Sequence, residues 1–444
     1  MNGWHRKMSK KNNELMQARI QRVVDAINLK EPDRVPVIPQ MNPHFVSNQA
    51  GLTQKQVWYN GGKNLRATIK VLRQYDWDLY PGVSQCGFGH FYDVLEIQNF
   101  KWPGAKDPNS RLPDNRPFQA VEGEWMKADE YEECLEDPTG FFLRKIVAKQ
   151  NLGLAAFEKF PGVDKFAFMG SGMDLAAAFL IDKDFLKMVR KINWYKLKLL
   201  PLLITQKPYK RKMESLGFPL GGMGGGVYMA SFDRISDSVR GMRGTMLDMR
   251  RNPEELKKLC NVLAKATLRS MDSAKSLYES DDSEGVPKIC FIPLHRGANS
   301  FMNNKQFEEF YWPSLTYMME GMIARGIIPC PFFEGGYSER LEFLADFAKK
   351  HKGKMIYWFH DIDMKQVKDM MGDSICIRGN IPASLLIMGT PQQVEDYVKQ
   401  NIEDCAEGGG YLIDGAIAGI PDEAKHENVL AIERAVKKYG IYRK

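Results

Sequence analysis

In the second half of the chain, short apolar runs recur, and each ends in a polar or glycine-flanked tip. KICFIPLHRG (288–297) ends at His295, and IIPCPFFEGG (327–336) ends at Glu334. KMIYWFHDID (354–363) ends at His360 and Asp361, SICIRGNIPA (374–383) at Arg378 and Asn380, and YLIDGA (411–416) at Asp414. Amphipathic segments separate the runs. A continuous apolar strand, a polar tip and then a helix is the pattern of a parallel α/β fold, in which chemistry gathers at the carboxyl ends of the strands.

The first half is more varied. Residues 13–29 carry apolar positions at helical spacing, and Pro32 lies just beyond. This predicts a helical extension over 1–30. RVPVIPQ (34–40) reads as a strand, 53–75 as a helix and YDWDLYPG (75–82) as a second strand. The aromatic segment 86–104 and FQAVEGEWM (118–126) read as a β-hairpin insertion capping one end, joined by a loop over 105–117 rich in Pro, Asn and Asp. KFAFMGSG (165–172) is another strand, residues 184–206 are helical until Pro201, and 238–259 give a loop followed by a helix. Candidate strands number nine: 34–40, 76–82, 165–170, 218–226, 288–294, 327–333, 354–359, 374–379 and 410–414. An eight-stranded barrel needs one fewer, and the glycine-dense 218–226 is the weakest.

Composition narrows the function classes. With 444 residues, 44% hydrophobic and 26% charged, the chain is ordinary globular protein and suits one large domain over 1–444. A formal charge of +7 is mild for this length and gives no reason to invoke nucleic acid. No window approaches the roughly 18 apolar residues of a membrane span, and the basic start lacks the apolar core of a secretory signal. Cys86, Cys134, Cys260, Cys290, Cys330, Cys376 and Cys405 form no CxxC pair. The expectation is a cytoplasmic protein with buried, reduced thiols.

The tips carry the candidate chemistry. His295, Glu334 and His360 are metal-ligand types at successive strand ends, a set suited to zinc with an open position. Each has another reading: His295 as an orienting residue or general acid, Glu334 paired with Arg296 or Arg340, and His360 bonded to Asp361 or Asp363. Asp414 is a supporting carboxylate or a helix cap. Asn42 and His44, after the first strand, face the same mouth or serve packing. Tyr311, Trp312, Phe332, Phe333, Tyr357 and Trp358 crowd the region. Alternation lets about half of the strand aromatics face a pocket for a flat ring, and the rest belong to the core. Glycines at 221–226 and 408–410 would permit close approach of a bulky ligand if they line the mouth. Met242, Met246 and Met249 share a helical face, as core or as a wall for a large flat ligand.

PDRVPV (32–37), IRGNIPASLLIMGTPQQVEDYVKQNIE (377–403) and GGGYLIDGAIAGIPDEAKHENVLAIERAVKKYG (408–440) together resemble the uroporphyrinogen decarboxylase superfamily. The resemblance implies a single (β/α)8 TIM barrel. Its decarboxylase branch uses an arginine-bearing N-terminal segment, where this chain reads NPHFVSNQAG (42–51). Its thiol-activating methyltransferases hold zinc through cysteines, where this chain reads FFEGG (332–336) and DGAIAG (414–419). The chain most resembles a corrinoid-dependent methyltransferase-like group with PLHRG, FFEG and FHD strand ends. That resemblance implies transfer of a methyl group between a small substrate, an aromatic methyl ether above all, and the cobalt of a cobalamin-type corrinoid on a separate corrinoid-binding protein. His295, Glu334, His360 and Asp414 would carry the reaction. Zinc would sit on the first three, and Asn42, His44, Arg296 and Asn380 would lie against the corrin. Assembly as a homodimer is a further expectation. The competing readings are a cofactor-free carboxy-lyase and a barrel that binds without catalysis.

Overall fold

The computed structural model describes residues 9–40, 43–82, 88–161, 181–221, 225–279 and 285–442. The helix Lys10–Ile27 starts at Ser9, whose side chain accepts the Asn12 N–H. It is built into the core. Val23, Ala26 and Ile27 join one buried cluster with Ile38, Leu79, Ile289, Cys330, Phe332, Ile356, Trp358, Cys376 and Leu412.

The insertion holds a small sheet of three strands: β1 (Phe100–Pro103), β2 (Arg111–Leu112) and β3 (Gln119–Ala120). β3 pairs antiparallel with β1, so the expected hairpin exists there. Its first arm is shorter than expected, because Phe88–Leu95 is helical. The connecting segment is also not all loop, since β2 pairs parallel with β1. The strand expected at 165–172 lies outside the described residues.

The main sheet is parallel and in chain order: β4 (Ile289–Leu294), β5 (Ile328–Gly336), β6 (Ile356–Asp361), β7 (Cys376–Arg378) and β8 (Tyr411–Leu412). Successive side chains point to opposite faces. Ile289, Cys330, Phe332, Ile356, Trp358, Cys376 and Leu412 face the inner cluster. Cys290, Ile292, Leu294, Phe333, Tyr357, Phe359, Ile377 and Tyr411 face the larger cluster under the helices. Burial on both faces is why these strands read as continuous apolar runs.

Backbone bonds continue past both edges of this sheet. Ile413 donates to the Pro36 carbonyl, Asp78 to Val37, and Tyr80 to Pro219. Gly221 donates to Tyr80, Gly225 to Ile289, and Phe291 to Gly226. The described parts of the glycine-dense segment, the weakest strand candidate by sequence, therefore make strand bonds on both sides. Gly225 and Gly226 lie within this pairing. Gly408–Gly410 precede β8, at the amino end, where a Cβ on Gly409 would meet the Lys30 backbone at 2.4 Å. None of the described glycines of either group lines the mouth, and 222–224 lie outside the described residues.

Three helix boundaries differ from expectation. Residues 53–75 form two helices, Gln54–Tyr59 and Gly61–Leu72, because Asn60 ends one and caps the next with its side chain on the Lys63 N–H. The helix Lys183–Ser215 runs through Pro201 and Pro208. An interior proline costs about 3 kcal/mol, offset here by packing of both helix ends, against the insertion and against Lys10–Ile27. The segment after 238 holds two helices, Gly241–Arg251 and Pro253–Glu279. Of its methionine face, Met249 is buried and Met242 exposed, so it serves packing at one end only.

All six described cysteines are buried and unbridged; Cys86 lies outside the described residues. Burial pushes the thiol of Cys330 up to about 11 and those of Cys260 and Cys405 to about 12.

At the amino end of the sheet Asp78 is fully buried. It accepts from the guanidinium groups of Arg22 and Arg34 and from the Val37 N–H, 2.8 Å away. Asp78→Ala leaves the mostly buried Arg34 without its carboxylate and Arg22 with Asp33 alone. It is expected to cost about 3–5 kcal/mol, read as a lowered urea midpoint. A change under about 1 kcal/mol would remove this latch from the account.

Candidate active site

β4 and β5 align Leu294 with Phe333, and β5 and β6 align Phe333 with Phe359. One step further, His295, Glu334 and His360 stand abreast at the carboxyl ends. β5 carries an extra residue between Phe333 and Gly336, so Glu334 lies on a bulge, a device that re-aims side chains beside functional sites.

The helix Ser231–Ser238 holds the His295 tip from behind. Asp233 accepts the backbone N–H groups of His295 (3.0 Å) and Arg296 (2.9 Å) and the Tyr311 hydroxyl (2.6 Å). It is fully buried, and burial pushes its carboxyl up to about 6 against these donors. One helical turn on, Asp237 places Oδ2 2.6 Å from His295 Nδ1 and accepts from Arg296 through Oδ1 at 2.9 Å. This hydrogen bond to Asp237 raises the His295 imidazole to about 8, against the opposing effect of burial. Its Nε2 lies 3.7 Å from Glu334 Oε2. Arg296 also reaches Ser236 and Glu122, which ties the insertion to the mouth. Arg296 is thus spent on Asp237 and Glu122, and Arg340 bonds Asn304 and the Met302 carbonyl. Glu334 meets His295 instead of either arginine.

His360 Nδ1 accepts the Gly335 N–H at 3.1 Å. A neutral imidazole has one donor and one acceptor nitrogen, so in that form the proton sits on Nε2. Asn380 is buried. Its amide donates to the Ile362 carbonyl at 3.0 Å, and its oxygen accepts the Tyr397 hydroxyl at 3.0 Å. It is a brace between tips, not a surface for a corrin. Asp414 is also buried, clasped by Arg378 Nε (3.0 Å) and Nη2 (2.7 Å) and accepting the Gln40 and Gly415 N–H groups. Burial pushes its carboxyl up to about 6. It caps no helix and ties the tips of three strands together. His44 is buried in the helix Pro43–Gln49, with both ring nitrogens unbonded among the described residues. Burial lowers it to about 4, so it is neutral. Asn42 lies outside the described residues.

Beneath the three tips is an aromatic floor. Phe332 and Trp358 lie 4.8 Å apart between ring centroids, and Phe291 is 5.6 Å from Trp358. Arg378 stacks 3.9 Å over Trp358. Phe333 and Tyr357 belong to the outer core, Tyr311 serves Asp233, and Trp312 packs on Phe307 and Phe347. Sequence reasoning missed Asp233, Asp237 and Glu122. The available signal was SFDRISDS (231–238), with two aspartates four residues apart after the glycine-rich run.

Over residues 210–439 the chain matches the family described as uroporphyrinogen decarboxylase (URO-D). The chain belongs to that family. Membership implies the α/β fold of the TIM-barrel type. Among solved structures, a methyltransferase from Methanosarcina mazei resembles it with a TM-score of 0.60 and 14% identity, over 95% of this chain and 98% of the other. At that identity the likeness shows the fold. The curated proteins yield no match. No described helix of this family member is long and apolar enough to cross a membrane.

Does the tip set fit the zinc ion expected from its residue types? Among the described residues no three of His, Cys, Asp and Glu converge in a way that could hold a metal. His360 adds a chemical reason, since the nitrogen left over from its bond to Gly335 carries a proton in the neutral ring. As placed, the set does not fit a three-donor centre.

The folded-state value of His295 (about 8) exceeds its ordinary 6.5. Its contribution to stability is therefore complete below about 6.5 and is lost as pH rises through 8. Urea midpoints of the wild type should fall across that window. Asp237→Asn should flatten this part of the profile, and an unchanged profile would show that the pair does not hold the proton.

Proposed function

We propose that this chain moves a methyl group between an aromatic methyl ether and the cobalt of a corrinoid protein that docks over the strand ends. One observation carries the reading: proton-bearing and acidic tips stand abreast above an aromatic floor, in a URO-D family chain. The relay of backbone bonds from β8 through Val37, Asp78–Tyr80, 219–221 and 225–228 to β4 supports an eight-stranded closed barrel as its frame. The bridge between Arg34 and Ile441 supports a single unit from end to end.

Phe291, the partly exposed ring of the floor, stacks the substrate ring, backed by the buried Phe332 and Trp358. A reduced corrinoid on the partner would supply the nucleophile that accepts the methyl carbon, with the C–O electron pair leaving on oxygen. Protonated His295 gives its Nε2 proton to that oxygen, which departs as the phenol. Asp237 orients the imidazole and offsets its charge. Glu334 steadies the Nε2 side, and His360 offers a second proton donor. Demethylation needs the proton on the enzyme before transfer, and methylation of a phenol runs the same steps backwards.

The assay mixes the protein with a reduced corrinoid protein and candidate ethers and follows the Co(I) absorbance. His295→Ala is expected to lower the rate by about 10²–10⁴-fold, the usual worth of a general acid, with the fold retained. Carbon dioxide released from a carboxylated ring without corrinoid would replace this reading with that of a lyase. Metal analysis tests the zinc reading separately. The tip geometry predicts that Glu334→Ala leaves the metal content of purified protein unchanged. One equivalent of zinc in the wild type, lost in that variant, would restore the three-ligand reading.

A further inference from the structure

The helix Lys183–Ser215 concentrates the positive charge of the whole molecule. It holds ten lysines and arginines against two acids, whereas the other 411 residues carry 52 basic and 53 acidic side chains. Its first third has two different faces. The inner face is bonded to the insertion: Lys191 pairs with Glu96, the Tyr195 hydroxyl meets Lys106 Nζ at 2.9 Å, and Met188 is buried. On the outer face Lys183, Lys187, Arg190 and Trp194 follow at intervals of four, three and four, which aligns them in one stripe. The three cations are exposed and have no ion-pair partner among the described residues. Trp194 is 73% exposed.

The stripe stands on the mouth side of the barrel. The far end of the helix is at the amino end of the strands, where Ser215 and Gly217 accept hydrogen bonds from Asn12 and Arg19. Thirty-three helical residues extend about 50 Å, whereas the nine residues of β5 extend only about 30 Å. The first turns therefore rise beyond the carboxyl ends. There they pack on the insertion, whose Glu122 reaches Arg296 at the mouth.

We infer that the stripe Lys183–Lys187–Arg190–Trp194 is a docking surface for an acidic face of the corrinoid protein. The inference rests on the function proposed above. Charge complementarity selects the partner: three unpaired cations ask for carboxylates, and one exposed indole among them is a typical central anchor of a protein interface. A lipid surface suits the stripe less well. Each basic side chain near an anionic membrane is worth about 1 kcal/mol, and stable anchoring takes a second signal; the exposed Val189 and Ile192 fall on a different side of the helix from the stripe, and the exposed Ile181 precedes the helix.

The test compares two methyl acceptors, free cob(I)alamin and the corrinoid protein that accepts the methyl group in the absorbance assay. Lys187→Glu/Arg190→Glu and Trp194→Ala should each raise KM for the corrinoid protein about tenfold. Rates with free cob(I)alamin and the melting temperature should stay unchanged. Added NaCl should raise the wild-type KM and affect the double variant less. An unchanged KM for the corrinoid protein overturns the docking surface and leaves the proposed function standing. Equal losses with both acceptors overturn it too, since the stripe would then act on the reaction site. Binding to phosphatidylserine vesicles that the double variant abolishes would reassign the stripe to membranes. If the wild type transfers to neither acceptor, the proposed function fails and the docking surface with it.

Discussion

Everything at the mouth depends on the two-residue period of strands that are buried on both sides. Once Phe332 and Trp358 are committed to the inside, His360 follows two residues further on, and the bulge sets Glu334 beside His295. The same rule carries Phe291 to His295 on β4. A slip of one residue would bury Glu334 under the helices and turn Phe333 into the pocket. The apolar packing of both faces forbids that slip, so buried packing fixes where the polar tips stand.

This explains why the strand tips were legible in the sequence. Continuous apolar runs ending in polar residues mark parallel strands, and five of them appear as read, from Ile289 to Leu412. The glycine-dense run at 218–226 was obscure because its pairing is with backbone on both sides, which side-chain pattern does not report. Proline misled in the other direction: Pro201 is a strong local breaker, yet tertiary packing at both ends carries the helix past it.

The candidate residues divide by where their polar atoms are spent. Asn380 and Asp414 have the same chemistry as a ligand-binding residue, but buried partners consume their hydrogen-bonding groups. His295 gains its character from Asp237, which arrives from a helix 58 residues earlier in the chain. No local motif announces that meeting. Spacing can place a histidine at a strand end, but only the fold can say what stands behind it.

Under the proposed reaction, in which an activated methyl group passes through the site, the burial of the cysteines has a consequence. A thiolate is the most nucleophilic side chain available and would compete for that carbon, ending in self-alkylation and a dead protein. Here every described thiol is buried, and burial holds Cys260, Cys330 and Cys405 in the protonated, unreactive form at neutral pH. At the strand ends this chain carries the carboxylate of Glu334, a far poorer acceptor of methyl groups than a thiolate. Its described part can sit beside the electrophile without becoming its substrate.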